Sequence, residues 1–326
     1  MLIVTNRNLL SRRKTDSHFS SRCFGDTFNA AGPDELRLAR AKRVRGKWDL
    51  RIIAETQSGN KRRTGSGLAS ETEFIALQER MRVKERHCVF FVHGFNNDLG
   101  AVLDRCRRFE LAYGVEVVAF TWPANGHGLT GAMSYKSDKR DAKMSVNALD
   151  RALEKLYGYF NKYAEETRRC GQTINLVAHS MGNYLIKTLM TSSVYQRETL
   201  IFDNVIMIAA DVNNENHEEW VNRIAHRGQL YITIHEGDHA LRLSRMKSGE
   251  HQKARLGHYL HNLNSRNAVY LNFTDAKGIH DSHAYFEKGS IKDNPRIKRV
   301  FRDMFHGRRA ERRLDYNTHS RCYVIE

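Results

Sequence analysis

The sequence has 326 residues, 40% of them hydrophobic, and a formal net charge of +16. That length and apolar content fit one large α/β domain with insertions, and the absence of any run of about 18 apolar residues excludes a membrane-spanning helix. The basic excess is that of a solvated surface with at most weak, salt-dependent attraction to anionic surfaces, and specific nucleic-acid recognition is not expected because no base-reading motif accompanies it.

The N-terminus, Met1-Leu-Ile-Val-Thr-Asn-Arg7, lacks a basic stretch ahead of an apolar one and does not read as a signal peptide. Cysteines 23, 88, 106, 170 and 322 are scattered, with no C-x-x-C pair. This pattern predicts a cytoplasmic protein without disulfides or structural zinc. Early strands are expected at 1–5 and 48–54, separated by a basic, polar stretch whose structure no periodicity defines. Residues 57–67, rich in Gly, Ser, Lys and Arg, read as a flexible loop.

From residue 88 the pattern sharpens. Cys88-Val-Phe-Phe-Val92 is a continuous apolar run, as expected of a strand buried on both faces. A helix over about 98–113 and a strand over 115–121 follow, the latter ending at Trp122-Pro123. Residues 125–141 are Gly-rich, then charged, and read as a surface loop or cap. Val146, Leu149, Leu153, Leu156, Phe160 and Tyr163 then mark one face of a helix. Further strands are predicted at 173–178, 204–210, 230–235 and 268–274. Apolar strands alternating with helices predict a mainly parallel sheet. Near the end, Ile297, Val300, Phe301, Met304 and Phe305 share a helical face that suits packing on the sheet; a basic amphipathic helix lying on a membrane is the alternative. The chain is expected to be a single domain over 1–326, with a cap or loop insertion at 123–145 and a basic segment at 296–326.

Strand ends in such a sheet are where chemistry collects. The strand 173–178 runs into Ala178-His179-Ser180-Met181-Gly182, with a helix to follow. This is the context of a nucleophile elbow, with alanine in place of the first glycine of G-x-S-x-G. A serine placed there needs a base, an acid to orient that base, and donors for an oxyanion. After strand 88–92 comes His93-Gly94-Phe95, so the amides of Phe95 and Met181 make a plausible oxyanion pair. His93 reads as a structural histidine. Asp211 and Asp238 follow two later strands and either can supply the acid; Asp238, also suited to capping a helix, is preferred by chain order. The base is expected in the loop after the last strand, where His280 and His283 both qualify.

Val-His93-Gly94-Phe95-Asn, Phe-Thr-Trp122-Pro123, Val-Ala-His179-Ser180-Met181-Gly182-Asn, Ala-Ala-Asp211-Val and His283-Ala-Tyr-Phe together resemble the α/β-hydrolase superfamily. More narrowly they resemble a bacterial group of lipase- or esterase-like hydrolases classed as a domain of unknown function. The resemblance covers roughly 85–290, and the opening Val-Thr-Asn-Arg7 is similar to that group's first strand. It implies an α/β-hydrolase fold, with a mostly parallel sheet of about eight strands flanked by helices. It also implies Ser180 as nucleophile, His283 as base and Asp238 as acid. The expected activity is that of a serine esterase needing neither metal nor organic cofactor, acting on a small-molecule or lipid-like acyl substrate. An acyltransferase using the same residues, or a non-catalytic binding protein on this fold, are the alternatives.

Overall fold

A computed structural model of the chain describes residues 1–10, 18–55, 68–124, 131–246 and 254–326. The N-terminal part forms β1 (Leu2–Thr5), β2 (Arg7–Leu9), β3 (His18–Phe19), β4 (Phe24–Phe28), β5 (Arg37–Val44) and β6 (Lys47–Ile53). Then come α1 (Ala69–Lys84), β7 (Cys88–Val92), α2 (Leu99–Tyr113) and β8 (Glu116–Thr121). Three helices, α3 (Gly131–Met144), α4 (Val146–Lys162) and α5 (Ala164–Cys170), lead to β9 (Ile174–His179) and α6 (Gly182–Thr191). The rest alternates: β10 (Val205–Ile208), α7 (Glu218–Val221), β11 (Leu230–Ile234), α8 (His239–Met246) and β12 (Ala268–Asn272). The chain closes with α9 (Lys288–Asp293), α10 (Pro295–Phe305), β13 (Asp315–Asn317) and β14 (Cys322–Val324).

Twelve strands form one sheet in the order β13-β14-β12-β11-β10-β9-β7-β8-β1-β5-β6-β3. The strands from β14 to β1 are mutually parallel and number eight, while β13 at one edge and β5, β6 and β3 at the other are antiparallel. The parallel centre therefore matches the expected size, and the extra strands lie at the edges. Alternation along the central strands splits the core into two layers. Cys88, Phe90 and Val92 of β7 face a layer built with α1, α4 and α6, whereas Val89 and Phe91 face one built with α2 and α10.

The basic N-terminal stretch resolves into a hairpin, β5–β6, whose two-residue turn Arg45-Gly46 has positive φ at both positions (48° and 77°). Such a turn matches the twist of the strands it joins. The region read as a loop or cap at 125–141 is instead helical from Gly131 onward; residues 125–130 lie outside those described, as does the loop expected at 57–67. Tyr135, Asp138 and Ala142 are buried there at helical spacing, so a single polar-faced turn of small residues disguised a helix that buries its other face. Helix α2 starts at Asp98, whose side chain accepts from the Ala101 amide at 2.7 Å, and ends at Gly114. In α10, Ile297, Val300, Phe301, Met304 and Phe305 are all buried, which fits packing on the sheet. Each contributes about 2 kcal/mol of hydrophobic stabilisation. Among the described residues no helix is long and apolar enough to cross a membrane.

Candidate active site

Strand β9 ends at His179 and α6 begins at Gly182, leaving Ser180 and Met181 to make the turn. Ser180 has φ +54°, a left-handed conformation that costs a side-chain-bearing residue free energy and persists only where the surroundings enforce it. Here they do. The Ser180 amide donates to Ile208 O at 3.0 Å, and its carbonyl accepts from the amides of Asn183 (3.0 Å) and Asp211 (3.3 Å). The Asn183 side chain donates to the carbonyls of Ala178, Ser180 and Ile208. A Cβ on Gly182 would lie 2.5 Å from Val92 O, so only glycine lets α6 start this close to β7.

The segment after β7 lies directly against the elbow. A Cβ on Gly94 would come within 2.7 Å of Ser180 Cβ and 3.2 Å of its Oγ. Phe95 thus follows a residue in contact with the serine side chain, and Met181 follows the serine itself. The Met181 amide donates to no described group. His93 is buried and fixed in one tautomer. Its Nε2 accepts from the Trp122 amide at 3.2 Å, so Nδ1–H donates to Gly94 O at 2.9 Å, while the ring stacks on Trp122. Burial, and then the nearby Arg7 charge, pull its pKa down to about 3. It holds the loop as a neutral ring.

Asp238 and His283 meet at the same end of the sheet. His283 Nδ1 lies 2.7 Å from Asp238 Oδ2. A carboxylate only accepts, so Nδ1 carries a proton, and in the neutral ring the lone pair is on Nε2. Asp238 is fully buried, and its other oxygen accepts from the Leu241 amide at 3.0 Å, at the start of α8. One carboxylate therefore both caps a helix and orients a histidine, and the helix N-terminus favours its charge. Ser180 Oγ has no hydrogen bond to a described residue. His179 ties the two sides together: it precedes Ser180, its ring lies 4.7 Å from that of His283, and its Nε2–H donates to His283 O at 3.1 Å. Burial, then the His283 and Arg105 charges, keep His179 well below the usual histidine range.

The side chains of the other two candidates make no hydrogen bond to Ser180, Asp238 or His283 among the described residues, although the Asp211 amide donates to Ser180 O. Asp211 accepts from Tyr135 Oη (2.9 Å) and Ser244 Oγ (2.5 Å) and pairs with Arg255 Nε (3.2 Å). That network joins α3, α8 and the loop after β10. His280 is exposed, with φ +47°, and its carbonyl lies against Gly237. Arg7 went unassigned in the sequence. It is completely buried, and it donates to Asn97 O (2.7 Å), Gly25 O (3.1 Å) and Thr121 Oγ1 (3.0 Å). Thr121 Oγ1 in turn lies 3.1 Å from His93 Nε2. Two signals pointed to it: its place just after the first strand, at the end of the sheet that carries Ser180, and the resemblance of Val-Thr-Asn-Arg7 noted above. Among the described residues no cluster of three or more His, Cys, Asp or Glu side chains has a metal-binding arrangement.

A protein family described as alpha/beta hydrolase of unknown function (DUF900) matches residues 69–300. Comparison with curated proteins finds no match. Among solved structures, the chain is similar to the acylaminoacyl peptidase of Pyrococcus horikoshii, with 10% identity, 82% of this chain and 41% of that one covered, and a TM-score of 0.37. It is also similar to phospholipase PlaB from Legionella pneumophila in complex with thio-NAD, with 14% identity, 57% and 37% covered, and a TM-score of 0.22. The chain thus spans less than half the length of either protein.

Proposed function

The chain belongs to this family of α/β hydrolases of unknown function, and on that premise we propose that it is a serine hydrolase cleaving carboxylic esters or related acyl bonds. The observation that carries the reading is the 2.7 Å Asp238–His283 bond, formed beside a serine held in a left-handed turn. In this reading His283 Nε2 takes the Ser180 proton as Oγ attacks the substrate carbonyl. The new Oγ–C bond forms as the carbonyl π electrons move onto oxygen, and the amides of Phe95 and Met181 stabilise that oxyanion. The leaving alcohol takes the proton from His283 as the oxyanion collapses to an acyl-enzyme. Water, deprotonated by the same nitrogen, then releases the acid. Asp238 holds the imidazole in the required tautomer and stabilises its cationic form. We further read the chain as one domain with an insertion at 123–145, whose described part is helix α3.

Turnover of short p-nitrophenyl esters and labelling by a fluorophosphonate test this assignment. Wild-type protein is expected to do both. Ser180→Ala, with an unchanged melting temperature, is expected to lose labelling and to lose turnover by orders of magnitude. Wild-type rates in Ser180→Ala would remove the nucleophile assignment.

A further inference from the structure

A cavity of about 370 Å³ opens between α2 and the segment 286–298, which follows His283 directly. Its floor is apolar, drawn from Phe109, Tyr113, Phe286 and Ile291. Leu111, 69% exposed, also lines it. Four cations line the same cavity: Arg105, Arg108, Lys292 and Lys298. Glu287 is the one carboxylate among its lining residues, and it is already shared, at 2.5 Å from Arg105 Nε and 2.8 Å from Arg108 Nε. Lys292 and Lys298 are exposed and form no ion pair among the described residues.

This combination selects its occupant. An inorganic anion would leave the apolar lining around Leu111 wet, and a neutral hydrocarbon would leave the surplus cations unanswered. A ligand with one anionic head and one apolar tail satisfies both, because the head gains charge-assisted contacts and the tail is removed from water. A concave cavity of this volume suits a single chain and not a lipid surface. We propose that this cavity binds a free medium-chain fatty carboxylate, with its head among Arg108, Lys292 and Lys298 and its tail along Leu111, Ala112 and Ile291. Arg105 makes the site more than a bystander. The same guanidinium that pairs with Glu287 lies 3.4 Å from His179 Nδ1, and His179 holds the His283 carbonyl. The binding claim does not depend on the hydrolase reading.

Titration calorimetry with sodium decanoate below its micelle concentration tests the proposal on the full chain. One-to-one binding is expected, weakening about fourfold for each methylene removed on going to octanoate and hexanoate. Acetate and decanol are each expected to bind at least tenfold more weakly than decanoate. The double variant Lys292→Glu/Lys298→Glu, at exposed positions, should keep its melting temperature and lose affinity by tenfold or more. Leu111→Glu, on a different helix, should do the same and serves if the double variant fails to fold. Unchanged decanoate affinity in the variants would mean binding elsewhere, the Ser180 site included, and would overturn the proposal. So would equal affinity for decanol and decanoate, or no saturable binding.

Discussion

Arg7 keeps its charge while wholly buried. Burial lowers its pKa only to about 10, and its donors are directed at Asn97 O, Gly25 O and Thr121 Oγ1. A lysine cannot reproduce that planar fork. Arg7→Lys is expected to destabilise by about 2–4 kcal/mol through unsatisfied buried acceptors. It should also lower kcat for ester hydrolysis by about tenfold with little change in KM, because Asn97 belongs to the loop that presents Phe95. Unchanged kcat alongside a lower melting temperature would leave Arg7 with a role in folding alone. The two aspartates separate just as sharply. Asp238→Asn would turn a donor toward His283 Nδ1 and favour the wrong tautomer, so turnover should fall on the order of 10³–10⁴-fold in a folded protein. Asp211→Asn weakens a buried ion pair with Arg255 and should cost melting temperature more than turnover. Parallel kinetics and thermal melts compare the two; the reverse ranking would move the acid to Asp211. The turn at Ser180 and the pairing of Asp238 with His283 were legible because these residues lie in loops that follow readable strands. Arg7 was not, since burial of an arginine depends on acceptors from three distant segments.

The close approach of two elements decides the geometry around Ser180. The loop after β7 touches the elbow at Gly94, and α6 touches the end of β7 at Gly182. These contacts differ in what they hold. A methyl on Gly94 meets chiefly the Ser180 side chain and the carbonyl of His179, whereas one on Gly182 meets the carbonyls of Val92 and His93. Gly94→Ala should therefore displace the Phe95 amide and slow both ester turnover and fluorophosphonate labelling by about 10²-fold or more, with a modest loss of melting temperature. Labelling at the wild-type rate in folded Gly94→Ala would show that the loop yields without moving the site. The parallel strands and the amphipathic helices α2, α4 and α10 were readable because buried strands and one-faced helices leave periodic traces. Strands β1 and β6 fall where strands were expected, at 1–5 and 48–54, but β2 to β5 and helix α3 left no readable trace. Strand β5 is basic on its exposed face, and α3 opens on Gly-rich sequence, so in both the apolar contribution is too thin to show a period.

Across the whole molecule, acid should act through histidine. The rings of His87, His93, His179, His217, His235, His258 and His306 all have pKa values below the ordinary value, with burial the largest cause in each. For His87 the value falls to about 4 and for His93 to about 3. Unfolding exposes each ring to water, where its pKa returns to about 6.5. Between the folded and unfolded values the unfolded chain binds more protons, so stability rises with pH in that window and is lost as pH falls through it. Each ring contributes up to about 1.4 kcal/mol per pH unit there. Buried Asp150, raised to about 6 by desolvation, acts in the opposite sense, as do the raised Asp141 and Asp203. Seven histidines outweigh three aspartates, and added positive charge on a chain already at +16 acts in the same direction. The melting temperature is therefore expected to be level from about pH 8 to 7 and to fall steeply from about pH 6.5 toward 5, before most carboxylates titrate. Scanning calorimetry across that range measures it, and a melting temperature that holds steady down to pH 5 would mean that the buried rings take up protons without leaving the folded state. His93→Gln isolates one contribution. It removes a ring that can charge only after the Trp122 amide releases Nε2, so the variant should start less stable at pH 7 and show a shallower decline below 6.5.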